Sequence, residues 1–164
     1  MDYTNLVPVI GIIVNITRGN DCCSQMLSLR TEDGIVNFFL SMDTIVIDSR
    51  QLRQGMRVAA FYDNTLPVPL IFPPQYQAQL ITQLGRNEQV MLNYFDSDLT
   101  AADNTLQLNI AGGTLIRTLN GQNITCNLGD HTLLVYYTIT TRSIPPNTEW
   151  TEYYMQSWRP YITG

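Results

Sequence analysis

Apolar and polar positions along this chain alternate with a period of two over short stretches, and no stretch holds the 3.6-residue period of an amphipathic helix. Gly11 to Ile16 is β-branched and apolar, Met26 to Arg30 alternates, and Glu32-Asp33-Gly34 is a hairpin turn signal leading into a strand over Ile35 to Leu40. Thr44 to Ile47 and Arg57 to Tyr62 predict two more strands, with a single helical turn between them over Ser49 to Gln54 and a reversal at Gly55. Asn64 to Pro74 carries four prolines and predicts an extended loop, since proline cannot feed a central ladder. Gln75 to Leu80 reads as a closing strand. Beyond Gln83 to Glu88 the strands restart at Val90 to Phe95, Leu106 to Ile110, His131 to Thr141 and Trp150 to Trp158. Short strands with a turn signal every eight to twelve residues or so predict an all-β sandwich or barrel with little helix.

The same order of elements occurs twice. Thr44-Ile45-Val46, a turn glycine at Gly55, the strand Val58 to Asp63 and a loop ending Pro73-Pro74 are matched by Thr114-Leu115-Ile116, Gly129, Leu133 to Thr138 and Pro145-Pro146. Relative to the two threonines, Val36 to Leu40 and Leu106 to Ile110 alternate with the same parity. That agreement is informative because a one-residue slip would turn every side chain to the other face. The pattern predicts two tandem, related β modules, residues 1–85 and 86–164.

The first module carries a long first strand with a glycine in it, a hairpin at Asp33-Gly34, and Leu52-x-x-Gly55-x-x-Val58 before the fourth strand; in these it resembles an OB-fold. The second module has a more compressed first hairpin. Pro67-Val68-Pro69-Leu70-Ile71-Phe72-Pro73-Pro74-Gln75-Tyr76 resembles a segment of small uncharacterised β-rich proteins of clostridial bacteria, which implies a bacterial origin and brings no catalytic residue with it.

Composition narrows the function classes. Only 14% of the 164 residues are charged, against about 25% in typical soluble domains, while 45% are hydrophobic, enough for a core. Net charge is −5, and all nine basic residues are scattered arginines, so nucleic acid is an unfavoured partner for want of a basic stripe. Val7 to Val14 has no basic residue before it and no cleavage site after it. It reads as a buried strand rather than a leader or membrane span, and the expected location is cytoplasmic.

Catalytic and metal chemistry find little to work with. Cys22, Cys23 and Cys126 form no zinc spacing with His131, so no metal and no cofactor is expected. Strand alternation would send Cys22 and Cys23 to opposite faces. Asp96-x-Asp98 lacks the glycine and glutamate of a calcium loop, and Gly112-Gly113 reads as a turn. Asn15-Ile16-Thr17 and Asn123-Ile124-Thr125 match the glycosylation sequon by composition.

What remains is aromatic and proline-rich. Phe61, Tyr62, Pro67, Pro69, Phe72 and Tyr76 cluster in the first half, and Tyr136, Tyr137, Trp150 and Trp158 in the second. Stiff proline loops lose little entropy on binding and aromatics anchor interfaces. The expected function is therefore a non-enzymatic binding or assembly module whose partner is a protein or a second copy. The alternatives are single-strand nucleic-acid binding, with Arg30, Arg53 and Arg57 converging beside Phe38 or Tyr62, and a thiol enzyme or redox site at Cys22-Cys23.

Overall fold

The computed structural model describes residues 5–110, 115–119, 121–123, 127–140, 148–149 and 152–155. It is an all-β protein that divides into two compact units, Met1–Arg86 and Asn87–Gly164. Among the described residues the one helical element is a 3-10 turn at Ile47–Ser49, and no helix is long and apolar enough to cross a membrane. The helical turn expected over Ser49 to Gln54 thus sits a few residues earlier. Asp48 and Ser49 take left-handed φ values of 59° and 51°, which end it at once.

In the first unit, β1 (Leu6–Arg18), β2 (Gln25–Thr31), β3 (Gly34–Leu40), β4 (Ile45–Val46), β5 (Arg57–Asp63), β6 (Gln75–Gln77) and β7 (Leu80–Gln83) form one sheet in the order β4-β7-β5-β1-β2-β3-β6. Only Ala78 and Gln79 separate β6 from β7, and they bond in both directions. The Ala78 N–H donates to the Phe39 carbonyl at 2.9 Å and the Gln79 N–H to the Phe61 carbonyl at 2.8 Å. The expected closing strand is therefore one interrupted strand, parallel to β3 and antiparallel to β5, that links β3 to β5 and closes the sheet into a barrel.

Two features of β1 make that closure work. Its first half pairs with β5 and its second half with β2, with a bulge between Ile13 and Asn15 that bends it from one neighbour to the other. At the bend, a Cβ on Gly11 would lie 2.8 Å from the Arg30 carbonyl oxygen and 3.2 Å from Leu29 Cβ. Backbone cannot swing aside as a side-chain tip can. Gly11→Ala is expected to cost about 1–3 kcal/mol, read as a lower denaturation midpoint at unchanged m-value.

The barrel interior holds Ile13, Leu27, Leu29, Phe38, Leu40, Leu52, Val58, Ala60, Ala78 and Ile81. Val58, Ala60 and Tyr62 alternate toward it along β5, while Ala59 and Phe61 on the opposite face are also fully buried. A strand buried on both faces has to be apolar at every position, hence the unbroken Val-Ala-Ala-Phe run.

The second unit contains β8 (Gln89–Phe95), β9 (Leu115–Thr118), β10 (His131–Tyr137), β11 (Ile139–Thr140), β12 (Thr148–Glu149) and β13 (Glu152–Met155). Its main sheet runs β8-β10-β13-β9, and β11 pairs separately with β12. The order and pairing senses of β9-β13-β10-β8 match those of β4-β7-β5-β1. So does the register. Phe61 opposes Leu80, which opposes Ile45 in parallel; Tyr136 opposes Glu152, which opposes Leu115 in parallel. Four buried residues followed by a half-buried tyrosine recur as Val58 to Tyr62 and Leu133 to Tyr137.

The strand expected over Leu106 to Ile110 is not a ladder. It is reduced to the bridge Thr100↔Gln107, beside a second bridge Phe95↔Ala101. Leu106 and Leu108 are still buried, but Ile110 is 40% exposed. The cause is the turn from Asp96 to Leu99, which leaves the partner arm short. The Leu99 N–H donates to the Asp96 carbonyl at 3.0 Å and Leu99 takes φ 59°, so the arm opposite Leu106 to Leu108 bends away just before Thr100. The acidic connector before it spends Asp96 on its own backbone, accepting from the Asp98 and Thr100 N–H groups at 2.8 and 3.0 Å.

Candidate functional site

The proline loop leaves β5 at Asp63 and returns at β6. An Asx turn fixes its start, with Asp63 Oδ1 accepting from the Thr65 N–H at 2.9 Å and the Thr65 hydroxyl at 2.6 Å. Its end is pinned to β3 by the Asn37 N–H, which donates to the Pro74 carbonyl at 2.9 Å. Between these anchors every residue from Asn64 to Phe72 is exposed. Leu70 is 103% and Phe72 94% exposed, with Leu66, Val68 and Ile71 at 49%, 39% and 52%. Scattered exposed apolar residues are ordinary, whereas five in one anchored loop form a patch.

At the base of this ridge lies a groove of about 210 Å³. Phe39, Tyr62 and Tyr76 make its floor, Leu66 to Pro69 one wall, and Asp63, Gln75 and Gln77 its polar margin. Tyr62 and Tyr76 stack at 4.1 Å between ring centroids and 19° between planes, and both rest on the buried Phe38 ring at 6.4 and 5.6 Å. Burial, then the charge and hydrogen bond of the neighbouring Tyr76 phenol, push the Tyr62 hydroxyl above the usual tyrosine range.

Of the residues singled out from the sequence, Tyr62, Tyr76, Pro67 and Pro69 meet in this groove, and Phe72 stands on the ridge above the barrel. Phe61 does not belong to a surface. It is fully buried because it alternates with Tyr62 to the other face of β5. Tyr136 is 3% exposed for the same reason on β10, and Tyr137 is half-buried against the second core, where burial raises its phenol. Trp150, Trp158, Pro145, Pro146, Cys126, Gly112 and Gly113 lie outside the described residues. Composition and proline spacing could not separate Leu66, Leu70 and Ile71 from core residues; their exposure follows from the loop being tied at both ends.

Phe38 is fully buried, so no base can stack on it, and Arg57 donates to the Gly85 carbonyl at 3.0 Å. The charged residue lining the groove is Asp63, which repels phosphate. Cys22 and Cys23 are both exposed, which corrects the expectation that alternation separates them: they sit in a turn, not a strand. The hydrogen bond between the Cys23 thiol and Cys22, then desolvation and the Asp21 carboxylate, push the Cys23 thiol above its ordinary value. The thiolate is the nucleophile, so alkylation of Cys23 by iodoacetamide is expected to reach half its limiting rate at a higher pH than a free model thiol does. His131, whose Nδ1 lies 2.7 Å from the Gly129 carbonyl oxygen, belongs to the other unit. Among the described residues no group of three or more His, Cys, Asp or Glu could hold a metal ion.

Compared with family models, curated proteins and solved structures, the chain matches none.

Proposed function

We propose that this protein is a non-enzymatic assembly module made of two copies of one OB-type unit, and that the first copy associates with other copies of the chain through its proline loop. The observation that carries the reading is the near-complete exposure of Leu70 and Phe72 on a loop anchored at both ends. A stiff loop presents these side chains without a large ordering cost on binding. The duplication rests on the matched strand order and register of the two units, and the OB assignment on the closed order β5-β1-β2-β3-β6/β7 with its parallel β3-β6 seam.

Self-association is favoured over an unrelated partner because ridge and groove are adjacent on one face. A two-fold arrangement can seat the ridge of each copy in the groove of the other, which is how an isologous interface achieves self-complementarity. With roughly 150–200 Å² per large apolar side chain, the exposed ridge offers about 600 Å² before the groove is counted. A standard interface needs about 800 Å² per partner, which ridge and groove together approach. The resulting contact is a modest, concentration-dependent one. Light scattering over a concentration series tests it.

A further inference from the structure

The turn between β1 and β2 is pinned as firmly as the proline loop. The Gly19 N–H donates to the Ser24 carbonyl at 2.9 Å and the Cys23 N–H to Asp21 Oδ1 at 2.9 Å. The pinch is tight enough that a Cβ on Gly19 would lie 2.1 Å from Ser24 Oγ. Adjacent residues in a strand point apart, but this turn brings Cys22 Sγ and Cys23 Sγ to 3.5 Å from each other, both exposed.

We propose that Cys22 and Cys23 form a chelating dithiol site for soft, thiophilic centres that take two sulfurs, of the class of trivalent organoarsenicals. A centre holding two sulfurs at about 2.3 Å, the zinc–sulfur distance, with a pyramidal angle near 100° spans about 3.5 Å between them. The spacing therefore fits the bite without rearrangement. A tetrahedral ion such as zinc wants four ligands, and among the described residues these thiols have no third or fourth partner of that kind. A centre satisfied by two thiolates has no such requirement. Holding the second thiol beside the first makes the second bond intramolecular, which raises its effective concentration and resists exchange with single thiols.

Phenylarsine oxide is the probe. Each thiol gives up its proton, two As–S bonds form, the As–O bond breaks and the oxygen leaves as water. Arsenic stays trivalent, so no oxidant or reductant is involved. The full chain is incubated with the probe and then with excess 2-mercaptoethanol, and its intact mass is read. One adduct per chain is expected to survive, to be released by dithiothreitol, to be lost in Cys22→Ser and in Cys23→Ser, and to persist in Cys126→Ser. Both serine variants change exposed turn residues, so their circular dichroism should match the parent and exclude unfolding as the cause. Stripping of the parent adduct by 2-mercaptoethanol, its survival in either single serine variant, or its loss in Cys126→Ser would each overturn the proposal.

Discussion

Phe38→Ala is expected to destabilise the first unit by about 3–5 kcal/mol, the usual cost of deleting a buried aromatic ring. Phe38 is fully buried among the barrel's apolar residues and carries the Tyr62–Tyr76 stack on its ring. Its removal leaves a cavity that the surrounding β-strands cannot collapse into, because the closed sheet fixes their spacing. Domains of this size hold roughly 5–15 kcal/mol in total, so the loss takes a large part of the unit's stability. Urea unfolding followed through the tyrosines measures it. A shift below 1 kcal/mol would mean that Phe38 is not the keystone the packing describes. Phe38→Leu, which refills most of the volume, should recover more than half of the loss.

How much of this was legible beforehand depends on which physical signal each residue gave. The β class, the hairpin at Asp33-Gly34 and the closing strand after Pro74 follow from period-two alternation and turn chemistry, and the structure has all of them. The run Leu106 to Ile110 shows the limit of that signal. Its alternation correctly marks Leu106 and Leu108 as inward, but alternation says which side is buried, not whether a neighbour is long enough to pair. That is decided by the turn from Asp96 to Leu99, which cuts the neighbouring arm short. Phe61 and Tyr136 were misplaced at a surface because a strand buried on both faces has no polar phase to betray its direction. Alternation does not extend to Cys22 and Cys23, because they sit in a turn. Of the groove, Tyr62, Tyr76, Pro67 and Pro69 were legible, and the other lining residues were not. The ridge residues Leu70 and Ile71 were not, since exposure of an apolar loop depends on its anchors at Asp63 and Asn37, one of which is distant in sequence.

The second large effect concerns association. Leu70→Ser with Phe72→Ser removes the two most exposed apolar side chains of the ridge. If each is an interface anchor worth about 2 kcal/mol, the pair should weaken association about a thousandfold, at 1.4 kcal/mol per tenfold. Neither side chain is packed in the free chain, so stability should change by no more than about 0.5 kcal/mol. That separates loss of contact from loss of fold, which Phe38→Ala cannot do. Tyr76→Ala is a poorer test of the groove, because it also breaks the stack on Phe38.

The central claim is that this chain meets its own copies through the proline loop, and molar mass against concentration tests it most directly. By multi-angle light scattering, the parent protein should sit at its monomer mass of 18.6 kDa when dilute and climb toward twice that as concentration rises, while the Leu70→Ser/Phe72→Ser variant stays at the monomer mass throughout. A parent protein that remains monomeric at every concentration, or a variant that associates as the parent does, would contradict the account.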